Sequence, residues 1–262
     1  MIPVFLTIAG SDCSAGAGIQ ADLKTGFALG AYPLTAVTCV VSEVPGHVAG
    51  IAAMEPEFVA SQVHECLRSF PVAAIKTGML YSPEIVHAVA QELPKDTPLV
   101  VDPVMIATAG EPLMLQQALA AYREALFPRA TLLTPNIDEL TILTGKEIAP
   151  HAEALREAAW ELASAVGCAV LAKGGHLPGS VCTDLLVLPN GHTQTHSHTR
   201  ITGITTHGTG CTLSAAIAAY LAHGHTLPQA VEAALSYTAR AISSSHHFPL
   251  TPALNHHAPL TP

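Results

Sequence analysis

Basic residues are scarce: lysine and arginine together number 11 in 262 residues, against 20 aspartates and glutamates, for a formal charge of −9. Such a chain has no basic surface with which to follow a phosphate backbone, which argues against a nucleic-acid partner. Charged residues of either sign make up only 12% and hydrophobic ones 49%, far too apolar a balance for disorder. No uninterrupted apolar run approaches the roughly 20 residues that span a bilayer, so no membrane partner is expected. No CxxC occurs among Cys13, Cys39, Cys66, Cys168, Cys182 and Cys211, and a chain of this size needs no disulfide staples, so the cysteines read as reduced thiols. The opening "MIPVFLTIAGSDC" lacks a basic leader and its apolar run stops at Gly10-Ser11-Asp12, which reads as a first strand and suggests a cytoplasmic protein. Of the fifteen histidines, His192, His196 and His198 lie in a polar hairpin-like stretch and His246, His247, His256 and His257 near a proline-rich end, and they do not read as a structural metal site.

What is present is alternation. "VFLTIA" reads as a buried strand, and residues 17–30 as a helix with Ile19, Leu23, Phe27 and Leu29 facing inward. Strands are then expected at 34–41, 72–75, 98–102, 130–134 and 168–175, with helices around 57–68, 83–93, 111–127 and 151–167, the last ended by Gly167. Asn190-Gly191 between two strand-like stretches is a hairpin signal. Two consecutive helices follow. Runs such as "PLVVD" lack polar alternation and suit central parallel strands covered on both faces. The fold class is therefore α/β, a mostly parallel sheet flanked by helices, with ligands at the carboxyl ends of the strands. Residues 1–248 read as a single domain and 249–262, rich in proline, as a loose surface tail.

The chemistry lies in the loops. "GTGC", Gly208 to Cys211, runs straight into an alanine-rich helix. Glycines there let a phosphate approach backbone amides at the positive end of a helix, although a tight turn before a buried helix would use the same residues. No GxxxxGK[ST] and no opening GxGxxG occur, which excludes the commoner phosphate loops. Cys211 at a helix amino end would have its thiol pKa lowered and could act as a base toward a substrate hydroxyl; a buried inert cysteine is the alternative. Asp102 follows a buried strand, and "TPNIDE" sets Asn136 and Glu139 three residues apart. A carboxylate and an amide so spaced can hold Mg²⁺ or its waters, or simply cap a helix. Lys76 and Lys173 end apolar runs, where a cation offsets phosphate charge or sits on the rim.

Six ordered blocks, "TIAGSDCSAGAGIQADLKTGFALGAY", "IKTGML", "VVDPVM", "TPNIDEL", "LAKGGH" and "THGTGCTLSAAIAAYL", resemble the hydroxymethylpyrimidine and phosphomethylpyrimidine kinases of thiamine biosynthesis, a branch of the ribokinase-like fold. The resemblance implies ATP and Mg²⁺ as cofactors. It implies Gly208, Thr209, Gly210 and Cys211 as anion hole and catalytic base, and Lys173 at the ATP phosphates. Asn136, Glu139 and Asp102 are implied to organise Mg·ATP, and Gly10, Ala17, Asp22, Val41, Glu43 and Met79 to wall the pyrimidine pocket. A homodimer is a further implication.

Two departures from the family pattern bear on specificity. Glu43 stands where the family has a glutamine, and a carboxylate only accepts where an amide also donates. Before the anion hole, "TGITTHG" places Ile204 and Thr205 where the family carries lysine and asparagine. The leading expectation is transfer of the γ-phosphoryl of ATP to the hydroxymethyl of 4-amino-5-hydroxymethyl-2-methylpyrimidine, and then to its monophosphate. The alternatives are a pyridoxal or pyridoxine kinase and, in another class, a pyrimidine- or nucleotide-binding protein without turnover.

Overall fold

The computed structural model describes residues 2–105, 113, 115, 117–202, 207–249 and 251–257. Strand β1 (Val4–Asp12) is buried at every position but one, as the unbroken apolar run predicts. Helix α1 (Gly18–Ala28) follows, then β2 (Tyr32–Val44), β3 (His47–Ala53), α2 (Pro56–Ser69), β4 (Val72–Thr77), α3 (Pro83–Glu92), β5 (Leu99–Val101) and α4 (Ala118–Ala121). The second half adds β6 (Leu132–Leu133), α5 (Ile137–Thr144), α6 (Ala152–Val166), β7 (Ala169–Ala172), the hairpin β8 (Val181–Val187) and β9 (Thr193–Thr199), α7 (Thr209–Ala222) and α8 (Leu227–Ser243).

The main sheet has the order β3-β2-β1-β4-β5-β6-β7-β8-β9. Pairing is parallel from β2 through β7, and antiparallel only where β3, β8 and β9 extend the two edges. Each face carries its own apolar layer. Leu6, Ile8 and Ile75 pack with Val63 of α2 and Val89 of α3, whereas Phe5, Ala74 and Val100 pack with Ile217 of α7 and Tyr237 of α8. A fully buried Leu, Ile, Val or Phe contributes about 1.5–3 kcal/mol; the first layer is rich in these, whereas the second mixes them with many alanines. With helices on both faces of the central strands, the ends of those strands are left to meet a ligand. The α/β architecture expected from the alternation is the one observed.

Several expectations change. Strand β3 was not anticipated: its small residues His47–Ala53 pair antiparallel with β2 after a turn at Gly46, whose φ is 87°. Phe27 does not face inward; it is 59% exposed and meets the ring of Tyr32 edge-on. The helix expected at 111–127 begins only at Ala118 and continues as a π turn, Tyr122–Leu126. Leu113 and Leu115 instead give their amides to the carbonyls of Met105 and Tyr81; positions 111, 112, 114 and 116 lie outside the described residues. Gly167 ends α6 in the left-handed region, as expected. The tail is not loose over residues 251–257. Strand β10 (His246–His247) pairs with β11 (Pro252–Ala253), and Leu254 and His256 are buried. The Tyr237 hydroxyl donates to the His256 carbonyl and the Thr212 hydroxyl meets His256 Nε2, so α7 and α8 supply the partners that composition could not reveal.

Candidate functional site

The carboxyl ends of β1, β2, β4, β5 and β7 and the start of α7 enclose a cavity of about 370 Å³. Gly10, Ala17, Val41, Glu43 and Met79 border one end of it, and Asp102, Asn136, Glu139 and Lys173 the other. Gly208, Thr209, Gly210 and Cys211 complete the wall. Sequence reading thus brings nearly all of its candidates to one place.

The turn into α7 has an unusual constraint. Gly208 holds φ 80° and accepts the first helical bond, from the Thr212 amide. A Cβ there would lie 1.8 Å from the Gly16 carbonyl oxygen, so no other residue fits. The amino end of α7 faces the cavity without a side-chain cap, leaving helix dipole and backbone amides directed at whatever anion enters.

At the other end, Asp102 is 2% exposed and accepts from Thr134 Oγ1 at 3.0 Å, Lys173 Nζ at 3.2 Å and Ser214 Oγ at 3.2 Å. Burial opposes its charge, but the Lys173 and Lys76 ammoniums outweigh that and hold its pKa below the usual value. Lys173 Nζ also lies 4.0 Å from Glu139. Glu139 is nearly sealed from water, and burial, with Asp102 adding to it, pushes its pKa up to about 7 despite Lys173. Asn136 and Glu139 form a capping box on α5: Glu139 N donates to Asn136 Oδ1 and Asn136 N to Glu139 Oε2. The capping alternative is therefore realised, and it fixes the Glu139 carboxylate beside Lys173.

Two expectations fail at the centre. Asp22 does not wall the cavity. It is fully buried behind it, where Oδ2 accepts from Lys76 Nζ at 2.7 Å and Thr7 Oγ1 at 2.5 Å. It holds Lys76, which borders the cavity floor and is no rim cation. The thiol of Cys211 is not acidified. Burial pushes it up to about 12, and the Asp22 and Asp102 charges add to that, outweighing the Lys76 ammonium and the nearby Gly18 amide.

Glu43 is held by its backbone, which meets Cys13 Sγ through both its amide and its carbonyl. Burial and the charge of Asp12 raise its carboxyl pKa. Asp12 and His207 were missed by sequence reading. Asp12 had been read only as the end of a strand, yet its carboxylate is 1% exposed and meets His207 Nε2 at 2.9 Å. An acidic residue closing an apolar strand just before a glycine-rich loop was the available signal.

Mg²⁺ takes hard oxygen donors, often one or two carboxylates together with substrate phosphates and water. Asp102 and Glu139 are such donors on one wall, whereas no cluster of three His, Cys, Asp or Glu side chains forms a metal cage among the described residues. The residues fit an ion carried mainly by nucleotide phosphates. Ile204 and Thr205 lie outside the described residues. No helix among the described residues is long and apolar enough to cross a membrane.

Residues 12–256 match the model of the phosphomethylpyrimidine kinase family. A hydroxymethylpyrimidine/phosphomethylpyrimidine kinase of Rhizobium meliloti is 42% identical over 94% of this chain and 92% of its own. A putative kinase of the same name from Schizosaccharomyces pombe is 44% identical over 93% of this chain. The chain spans only 48% of that protein's length. Among solved structures, a pyridoxal kinase from Staphylococcus aureus in complex with ADP superposes with a TM-score of 0.87 at 31% identity, covering 98% of this chain and 94% of the other.

Proposed function

The chain belongs to the phosphomethylpyrimidine kinase family, and from that premise we propose that it transfers the γ-phosphoryl of ATP to the hydroxymethyl group of 4-amino-5-hydroxymethyl-2-methylpyrimidine, and then to the resulting monophosphate. The observation that carries this reading is the single cavity with a glycine turn and helix amino end between an apolar acceptor end and a Lys173–Asp102 pair.

Phosphoryl transfer asks the protein mainly for position and charge. At the acceptor end, Val41 and Met79 offer apolar walls to a flat ring and Glu43 an oxygen to its exocyclic amine. Amides of the Gly208–Cys211 turn receive the transferring phosphoryl, and Lys173 stabilises the charge that spreads over its oxygens. Asp102 and Glu139 would hold Mg²⁺ through its waters, where it supplies neutralisation of the phosphate charge. Cys211 takes the proton of the attacking hydroxyl as its thiolate and not as its thiol, so the competent fraction grows as pH rises toward the thiol's raised value. Lys76 faces that sulfur with a charge that Asp22 keeps in place.

A pyridoxal or pyridoxine acceptor is the second reading, favoured by the close superposition on a pyridoxal kinase. A binding protein without turnover is disfavoured by the intact pairing of Lys173 with Asp102. Mass spectrometry of the products from Mg·ATP and the pyrimidine alcohol is the test. A monophosphate followed by a diphosphate supports the full reading; a monophosphate alone removes the second step, and unchanged alcohol removes the first.

A homodimer belongs to the same reading. Support comes from Val40 and Val44 of β2 and Phe58 of α2, apolar side chains that are 45%, 54% and 59% exposed. Sedimentation equilibrium distinguishes one copy from two. A cytoplasmic location is supported by six cysteines that all stand as free thiols.

A further inference from the structure

Asp12 ends β1 with its carboxylate sealed from water and crowded with donors. Oδ1 accepts from the Ser14 amide at 2.7 Å. Oδ2 accepts from Ser14 Oγ at 2.9 Å, the Gly16 amide at 3.0 Å, the Ala17 amide at 2.8 Å and His207 Nε2 at 2.9 Å. Burial alone would raise the pKa of this group, but the bonds from His207, Ser14 and Ala17 prevail and hold it at about 2. It is an anion at every working pH.

Those donors come from two loops 190 residues apart in sequence that touch backbone to backbone. A Cβ on Gly208 would lie 1.8 Å from the Gly16 oxygen, and one on Gly16 would lie 2.6 Å from Cδ2 of His207. Beyond Ala17, the Gly18 amide lies beside the Cys211 sulfur. Both ends of the turn that faces the cavity are therefore reached from one carboxylate: Cys211 through residues 14–18, and Gly208 through His207.

We propose that Asp12 is a positioning residue for phosphoryl transfer, clamping the glycine loop after β1 to the turn before α7 through His207 and so fixing where the Gly208–Cys211 amides and the Cys211 sulfur point. The inference rests on the role given above to that turn. It assigns the clamp no contact with substrate. Loosening it displaces the amides from the transferring phosphoryl, and displacements near 1 Å cost on the order of 10²-fold in rate. ATP binding, which depends on the Lys173 end of the cavity, is left largely intact.

Asp12→Asn turns an acceptor into a group whose NH₂ faces donors, and His207→Leu removes the bond to Asp12 while keeping bulk. His207→Gln keeps an N–H at similar reach. The expected result is a fall in kcat of at least about tenfold for His207→Leu and about 10²-fold for Asp12→Asn, with ADP affinity, measured by calorimetry, within about threefold of the parent. His207→Gln restores most of the lost kcat at equal thermal stability. If Asp12→Asn does not fold, the His207 pair decides. Unchanged kcat in His207→Leu overturns the proposal, and so do equal losses in His207→Leu and His207→Gln. Cys211→Ala and Lys173→Met are assayed alongside: if both retain full turnover, the role of the turn itself fails, whereas their loss with an unaffected His207→Leu sinks the clamp alone.

Discussion

Lys173 Nζ stands 3.2 Å from Asp102 Oδ1, with side-chain exposures of 15% and 2%. The carboxylate holds the ammonium at the mouth of a strand end, away from bulk water, where its charge acts on an incoming phosphate with little screening. Replacing Lys173 by Met is expected to lower kcat on the order of 10²-fold. Arginine at this position restores only part of it, because a planar fork does not reproduce a point charge. Single-turnover kinetics with saturating Mg·ATP measure both effects.

The Lys76–Asp22 pair is a stability prediction. Both side chains are fully buried at 2.7 Å. Removing one partner strands the other, so Lys76→Met is expected to cost about 3–5 kcal/mol in urea unfolding. The double variant Lys76→Met with Asp22→Asn is expected to recover much of that, because no uncompensated charge remains. Additive losses would show that the two do not act as a pair.

Cys211 gives a pH prediction. Its thiol is raised to about 12, mainly by burial. The thiolate fraction therefore grows about tenfold per pH unit below that value, and log kcat/KM is expected to rise with pH between about 7 and 9. In Cys211→Ala the rise disappears and turnover at the upper pH falls on the order of 10²-fold. A flat parent profile would remove the cysteine as base.

His256 makes the fold acid-sensitive. Burial first, and then the charges of Lys24 and His257, lower its pKa from 6.5 to about 4. Above 6.5 it is neutral whether folded or unfolded and contributes no slope. Between 6.5 and 4 the unfolded chain binds the extra proton, so stability is lost as pH falls across that window. Thermal melts of the parent and of His256→Gln are expected to diverge in slope there and to run parallel above it.

Sequence made the alternation of strands and helices legible because parallel strands buried on both faces leave unbroken apolar runs, as in β1 and "PLVVD". It failed for β3, whose small residues carry no period, and for the tail, whose buried Leu254 and His256 find their partners on α7 and α8. At the site, glycine turns and strand-end residues announced themselves by type and place. The environment of a group did not. Cys211 at a helix start suggested an acidic thiol, but the desolvation and the carboxylates around it come from β4, β5 and α1. Asp22 was placed on the wall by resemblance alone, and the lysine it serves comes from β4, which only the packing of α1 on the sheet brings to it. Asp12 was passed over because its chief partner lies in the other loop.

The most direct test is a comparison of kcat/KM, with Mg·ATP saturating, for the aminopyrimidine alcohol, pyridoxal and pyridoxine on the same purified protein. The account predicts that the pyrimidine alcohol is the preferred acceptor. A preference for the pyridines, with the pyrimidine alcohol unphosphorylated, would contradict it.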